Sequence, residues 1–340
     1  MSRAVGCIGG GQLGRMLALA GAPLDVPFRF LDPSPDACAG EVGELLVGPY
    51  DDPDLLDRLA DGAAAVTYEF ENVPVEAARR VGAVPDARAL EQGQDRLVEK
   101  DLFRSLGIPT ARYGSLEDSG LPALVKSRRL GYDGKGQRVV ESLVVLEDDE
   151  LAEEVVAFDR ELSIVAARGR DGQTAFYPLA ENEHRGGILA VSRAPAPGAP
   201  QHEAEEIATK LLDALGYVGV LAVELFEVEG RLLANEFAPR VHNTGHWTID
   251  GAATSQFENH VRAVLGFTLG STEVLGDTVM LNLVGDAPPL ERLLGVPGAH
   301  VHLYGKTPRP GRKLGHVTLV DADEARIAEV AALASSAWTV

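Results

Sequence analysis

Lys126 lies on an apolar run, Ala123-Leu124-Val125, shortly before a stretch that carries Gly131, Gly134 and Gly136. An ammonium group beside backbone amides that lack side-chain cover is suited to holding nucleotide phosphates. The stretch is not a Walker loop, which ends in Gly-Lys-Ser/Thr and opens a helix. Here Gln137-Arg138-Val139-Val140 continues with β-branched residues, so the glycines should bend a hairpin between two strands. A flap over phosphates and an ordinary glycine-rich hairpin with a stray lysine both fit this segment taken alone.

A second constellation is acidic. Val220-Leu221-Ala222-Val223-Glu224-Leu225-Phe226 and Leu233-Ala234-Asn235-Glu236-Phe237 flank a turn at Glu229-Gly230-Arg231. With a three-residue loop, Val228 pairs with Leu232, and counting back sets Glu224 opposite Glu236 on one face. Like charges facing each other in an apolar hairpin are destabilising, and a divalent cation compensates them most simply. Oxygen ligands select Mg²⁺, and Asn235 could add a neutral oxygen. The competing reading is a solvated hairpin edge, against which the apolar neighbours on both strands speak.

Three further segments could bind or react. The loop Ala238-Pro239-Arg240-Val241-His242-Asn243-Thr244-Gly245-His246-Trp247 is dense in hydrogen-bonding side chains, as site loops are, and no acid or cysteine spacing there indicates zinc. Lys306, Arg309, Arg312 and Lys313 concentrate positive charge in an otherwise acidic chain, either for a substrate phosphate or as a solvated basic turn. Gly9-Gly10-Gly11-Gln12-Leu13-Gly14, with Asp32 18 residues beyond Gly14, matches the dinucleotide fingerprint. A tight strand-to-helix packing turn, or any phosphate at a helix N-terminus, would select the same glycines.

The elements that must position these groups read as alternating strands and helices over residues 1 to about 94: Ala4 to Ile8, a helix after Gly14, Phe28 to Leu31, a helix Pro53 to Asp61, and Ala64 to Tyr68. That pattern begins a parallel sheet. From Asp95 a helix runs through Leu106, and antiparallel hairpins follow, with strands at Leu162 to Ala167 and Thr174 to Pro178 and an acidic helix from about His202 to Leu215. The remainder from about Ser271 is strand-rich and ends in one helix, Glu324 to Ser335. A chain of 340 residues is long enough for two or three domains, each with its own core. The formal net charge of −20 argues against nucleic acid and anionic membranes as partners while leaving room for a small anionic ligand. Two cysteines without metal or disulfide spacing fit a reducing compartment, and no leader-like segment or apolar run of the ~18 residues a membrane helix needs is visible, so a cytoplasmic protein is expected.

Taken together and in this order, these segments resemble the ATP-grasp ligases, and within them the N5-carboxyaminoimidazole ribonucleotide synthetase family. The resemblance rests on Gly9 to Met16, Tyr68-Glu69-Phe70-Glu71-Asn72-Val73, Gln94-Asp95-Arg96, Gly131 to Gln137, Tyr177-Pro178-Leu179 with His184, Asn235 to Asn243 with Gly245-His246-Trp247, and Arg309 to Lys313. It implies an α/β and α+β fold: a Rossmann-like pre-ATP-grasp domain (1–94), an ATP-grasp domain of two α+β subdomains (95–270) and a small strand-rich C-terminal domain (271–340). It implies Arg96 and Lys126 as ATP phosphate ligands and Gly131, Tyr132, Asp133, Gly134, Lys135, Gly136 and Gln137 as the closing flap. Glu161 would hold the ATP ribose hydroxyls, with His184 on the ATP side and Glu153 and Val156 at the adenine. Leu151-Ala152-Glu153-Glu154-Val155-Val156 can also be read as helix, where the resemblance implies a strand. Glu224 and Glu236 would bind Mg²⁺ with Asn235 beside them. Gln12, Leu13, Glu71, Tyr132, Asp133, Arg240, His242, Asn243, Lys306, Arg312 and Lys313 would face 5-aminoimidazole ribonucleotide and bicarbonate, and Lys126, Arg240, His242 and Asn243 would serve the chemistry. The implied reaction carboxylates the ribonucleotide through carboxyphosphate in purine biosynthesis, in a homodimer. The rival expectations are a sister ATP-grasp ligase such as formate-dependent glycinamide ribonucleotide transformylase or biotin carboxylase, a nicotinamide-dependent oxidoreductase resting on Gly9 to Gly14 and Asp32, and a non-catalytic nucleotide-binding module.

Overall fold

A computed structural model describes residues 4–131 and 136–336. Four strands form a parallel sheet in which Val5–Ile8 lies between Phe28–Asp32 and Ala65–Tyr68, with Glu44–Val47 outside Phe28–Asp32. Val5–Ile8 and Ala65–Tyr68 are buried throughout, as strands of a helix-covered parallel sheet are, whereas the outer strand Glu44–Val47 is largely exposed. The first helix begins at Gln12, earlier than the glycine spacing suggests, and has no side-chain cap of its own. Its open amides are taken by a distant acid: the Gly11 N–H donates to Glu69 Oε1 at 2.5 Å and the Gly14 N–H to Oε2 at 2.7 Å. Gly9 makes that approach possible, since at φ 102° an added Cβ would stand 2.5 Å from Glu69 Cγ.

The helix Arg96–Ser105 is N-capped by Asp95, whose side chain accepts from the Leu97 N–H at 3.0 Å and also receives Arg128 at 2.8 and 3.1 Å. A small antiparallel sheet follows, in the order Tyr113–Gly114, Glu150–Glu154, Ala123–Ser127, Gln137–Val140. The glycine-rich stretch thus joins two paired strands, Ala123–Ser127 and Gln137–Val140. Residues 150–154 are a strand, which corrects the helical alternative. Leu, Ala and Glu favour helix intrinsically, but here pairing on both edges and burial of Leu151, Ala152 and Glu153 override that preference.

The third sheet has nine strands and is antiparallel. It runs Arg231–Ala238, Gly219–Val228, Arg160–Arg168, Ala180–Arg185, Ile188–Ala194, Thr278–Val284, Lys313–Val320, Ala299–Leu303, with Thr174–Phe176 paired beside Arg160–Arg168. The pairing between Ile188–Ala194 and Thr278–Val284 crosses the 270/271 boundary drawn from sequence, so the central and C-terminal parts share one sheet. The acidic helix is Gln201–Ala214, and a short helix at Leu290–Leu294 joins the terminal helix Glu324–Ser336 in the last part. One apolar cluster contains Leu17 and Phe28, Val220 and Phe257, and Tyr304, and so ties all three parts together around the cleft between them. Among the described residues no helix is long and apolar enough to cross a membrane.

Candidate active site

The acid-bearing strands bring Glu224 directly opposite Glu236, as the spacing predicts, though by a different route. The turn contains two residues, with Val228 paired to Arg231, and the register shifts by one between Glu224 and Leu225, where Leu225 faces Ala234. Asn235 is the extra residue of that bulge, and the bulge cancels the error in assumed loop length. Its Oδ1 is buried and has no hydrogen-bond partner among the described residues.

The two carboxylates are not equivalent. Arg96 donates from Nη1 to Glu236 Oε2 at 2.8 Å, while its Nη2 reaches the Gly131 carbonyl at 3.2 Å. Burial opposes ionisation of Glu236, but the Arg96 charge and hydrogen bond outweigh it and hold the carboxyl at about 2. Burial pushes Glu224 up to about 7, and the charge on Glu236 pushes in the same direction. His242 lies 3.3 Å from Glu224 Oε1 through Nε2 and accepts the Thr244 N–H on Nδ1. Burial, then the neighbouring Arg240, holds the imidazole well below its ordinary value, so it is neutral with Nε2–H facing Glu224. Two facing carboxylates and an unsatisfied amide oxygen form an all-oxygen donor set that could hold Mg²⁺.

A third acid escaped the sequence reading. Glu99 is 2% exposed and accepts the Phe237 N–H on Oε1 at 2.6 Å. Burial, then Glu236, pushes its carboxyl up to about 8. The available signal was the spacing Arg96, Glu99, Lys100, which places these three on one helix face. Lys100 also went unnoticed: it is fully buried, 3.3 Å from Glu153 Oε2 and 3.0 Å from Thr110 Oγ1. Lys126 donates to the same Glu153 oxygen at 3.0 Å. Glu153 therefore sits among the cations expected at phosphates, and its Oε1 has no partner among the described residues. Gln137 lies directly across from Lys126 in the neighbouring strand, and the Gly136 carbonyl accepts the Ser127 N–H at 2.8 Å, which fixes the return of the glycine-rich stretch beside the lysine. Tyr132, Asp133, Gly134 and Lys135 lie outside the described residues. Val156 follows the strand Glu150–Glu154 and is half-buried.

Around this centre, Glu161 and His184 form a hydrogen-bonded pair. Burial works against the imidazolium, yet the Glu161 bond and the Glu224 charge raise the His184 pKa above its usual value. Arg240 is half-buried against Glu71 in an ion pair, and Gln94 pins the Glu71 segment by donating to the Glu71 and Val73 carbonyls at 2.7 Å each. A cavity joins Glu71, Arg96, Glu224, Glu236, Arg240 and His242, so acids and cations from all of these segments share one space. Lys306 from the C-terminal part meets Gln12 Oε1 at 2.5 Å, which brings the basic segment to the glycine turn, next to the half-buried Leu13. Arg312 donates to the Thr307 carbonyl at 3.1 Å, and Lys313 opens the strand Lys313–Val320 opposite Val284. Asn243 is turned toward Asn282: its amide nitrogen donates at 3.2 Å and its oxygen accepts at 2.6 Å, so its side chain pins the loop to the neighbouring sheet. The dinucleotide alternative meets an obstacle in the same turn. The Gly10 N–H is taken by Asp32 Oδ2 at 2.8 Å and those of Gly11 and Gly14 by Glu69, so the amides a pyrophosphate would use are filled by the chain's own carboxylates.

Three family models match successive parts of the chain. Residues 1–94 match the ribonucleotide synthetase preATP-grasp domain, 102–257 the ATP-grasp domain, and 278–330 the phosphoribosylaminoimidazole carboxylase C-terminal domain. The N5-carboxyaminoimidazole ribonucleotide synthase of Pseudomonas aeruginosa is 49% identical over 355 residues, covering 97% of this chain and 99% of that protein. The crystal structure of N5-carboxyaminoimidazole ribonucleotide synthetase from Thermus thermophilus superposes with a TM-score of 0.92 at 54% identity, covering 97% of this chain and 98% of the other. A structure of N5-carboxyaminoimidazole synthase from Aspergillus clavatus with ADP and 5-aminoimidazole ribonucleotide superposes with a TM-score of 0.89 at 31% identity, covering 98% of this chain and 99% of the other.

Proposed function

Since this chain belongs to the N5-carboxyaminoimidazole ribonucleotide synthase family of ATP-grasp ligases, we propose that it carboxylates 5-aminoimidazole ribonucleotide with bicarbonate at the expense of ATP. The observation that carries the reading is the facing pair Glu224 and Glu236, with Arg96 bonded to Glu236 and Lys126 nearby among buried charges. A bicarbonate oxygen attacks the γ-phosphorus, the bond to the β–γ bridging oxygen breaks, and ADP leaves carboxyphosphate in the site. Arg96 and Lys126 meet the charge that develops on the phosphoryl oxygens, and being fixed in advance they need little reorganisation. The flap opposite Lys126 keeps water from the intermediate. The exocyclic amine of the ribonucleotide then takes the carboxyl group, losing a proton as phosphate departs. Glu161, paired with His184, suits the ATP ribose hydroxyls. Arg240 with Glu71, and Lys306, Arg312 and Lys313, suit the ribonucleotide.

Glu224, Glu236 and Asn235 are the residues that would hold Mg²⁺, which when bound neutralises phosphate charge. Bicarbonate as the carboxyl source, a homodimer and a cytoplasmic location belong to the same proposal. The test is a magnesium-dependent ATPase assay with and without the ribonucleotide and with and without bicarbonate. ADP formation is expected to rise when both are supplied. Hydrolysis that ignores the ribonucleotide would favour a sister ATP-grasp ligase, and no hydrolysis under any condition would leave a nucleotide-binding module.

A further inference from the structure

Two lysines share a single carboxylate oxygen. Lys126 and Lys100 lie 3.0 and 3.3 Å from Glu153 Oε2, and the side chains are 9%, 1% and 3% exposed for Lys126, Lys100 and Glu153. One carboxylate would balance one ammonium, so the trio carries a surplus positive charge. The two lysines are also held differently. Lys100 has a second anchor in Thr110 Oγ1, and that hydroxyl in turn donates to the Ala234 carbonyl at 2.7 Å, on the strand that carries Glu236. Lys126 sits on the strand Ala123–Ser127, where Gln137 of the neighbouring strand pairs with it.

We infer that Lys100 is a positioning residue for the nucleotide site: it remains the counter-ion of Glu153 and so frees Lys126 to leave that carboxylate for the ATP phosphates. A buried carboxylate stripped of its partner is strongly penalised. With Lys100 present, Glu153 keeps a cation when Lys126 turns to phosphate. Without it, each phosphate contact made by Lys126 would leave an unpaired anion in the interior, and Lys126 would stay locked to Glu153. Burial pulls the Lys100 ammonium below its ordinary value, and the Glu153 charge, with a smaller contribution from Glu99, opposes that pull. The inference rests on the proposed role of Lys126 as a phosphate ligand.

The test compares Lys100→Met in two backgrounds, the unaltered chain and Glu153→Gln, reading ADP affinity in the presence of magnesium and kcat/KM for ATP. In the unaltered chain, Lys100→Met should weaken ADP and lower kcat/KM by about tenfold or more, because the penalty of an unpaired buried charge falls on the bound state. With Glu153→Gln there is no buried anion to strand, and the same substitution should change both by less than about threefold. An equal loss in both backgrounds, or no loss in the unaltered chain, overturns the inference and leaves Lys100 a stabilising ion pair. Lys126→Met, measured alongside, separates the two readings: unaltered ADP affinity and turnover there would remove the phosphate role of Lys126 itself. Thermal unfolding checks each variant. Should Lys100→Met fail to fold, Lys100→Gln, which keeps a donor for Thr110, replaces it with the same background dependence expected.

Discussion

At the glycine turn, Asp32 and Glu69 commit their oxygens to the amides of Gly10, Gly11 and Gly14. At the hairpin, Glu224 and Glu236 face each other, Arg96 reaches Glu236, and the buried Asn235 oxygen lacks a partner among the described residues. Both regions gather acids, buried at the turn and half-buried at the hairpin, but the first is complete within the chain and the second is not. Acid at a glycine-rich turn is therefore a poor guide to a ligand, whereas acids that the protein leaves under-compensated mark the place where something else belongs. A further acid, Glu99, follows the same division: it takes one amide and otherwise meets the charge on Glu236.

Removing an acid from the incomplete region should cost activity, and from the complete region, stability. The largest effect is expected of Glu236→Ala, with turnover falling about 10³-fold or more through loss of metal and charge stabilisation. Unfolding without nucleotide should change little. Near-normal ATP hydrolysis at saturating magnesium would refute the metal assignment. Lys126→Ala should lower turnover on the order of 10²-fold, the usual scale for one cation aimed at a transferring phosphoryl group. A drop of less than threefold would show that this lysine does not meet the phosphates.

Replacing Arg312 and Lys313 together by alanine should raise the ribonucleotide Michaelis constant about tenfold while leaving that for ATP nearly unchanged. The effect should persist at high ionic strength if the contacts lie in a pocket. Equal effects on both substrates would return the segment to a solvated basic turn. Glu69→Ala should lower stability by about 1–3 kcal/mol, because it strands one buried and one part-buried amide at the start of a helix. If catalysis collapses while thermal unfolding is unmoved, the division between the two regions fails.

The smallest effect is a pH dependence. Glu99 ionises at about 8 in the folded protein, above its ordinary value, so the neutral acid is the form folding favours. Its contribution is complete below the ordinary carboxyl range and is lost as pH rises through about 8. Thermal stability of the nucleotide-free protein should therefore decline between about pH 4.5 and 8 and level off above, and Glu99→Gln, which can still accept the Phe237 N–H, should flatten that decline. Parallel profiles for the two proteins would mean that Glu99 is ionised throughout.

Local pattern made much of this legible. The parallel start, the hairpin at the glycine-rich stretch and the opposition of Glu224 and Glu236 all follow from periodicity and turn residues, although the last came out right because a bulge offset a misjudged turn. What stayed hidden depended on partners remote in sequence. Glu69 looks like any acid in an acidic chain until folding carries it to Gly11 and Gly14. Glu153 belongs to a run with helical preference, and two lysines from separate elements help hold it in a strand. Asn282 lies in an apolar strand, and its purpose emerges only when Asn243 arrives from another segment. Pairing between distant side chains has no local signature, so sequence spacing reveals the elements more readily than the charge balance between them.

The pairing between Ile188–Ala194 and Thr278–Val284 has a consequence for how the protein is made. A ribosome delivers the chain from its N-terminus, so Ile188–Ala194 emerges well before the strand that completes its open edge. Until then a row of unpaired amides and carbonyls, on a strand with buried apolar residues, is available to any neighbouring nascent chain. Translation speed over the last part of the message, and holding by chaperones during that interval, should bear on yield more than any change in the finished site.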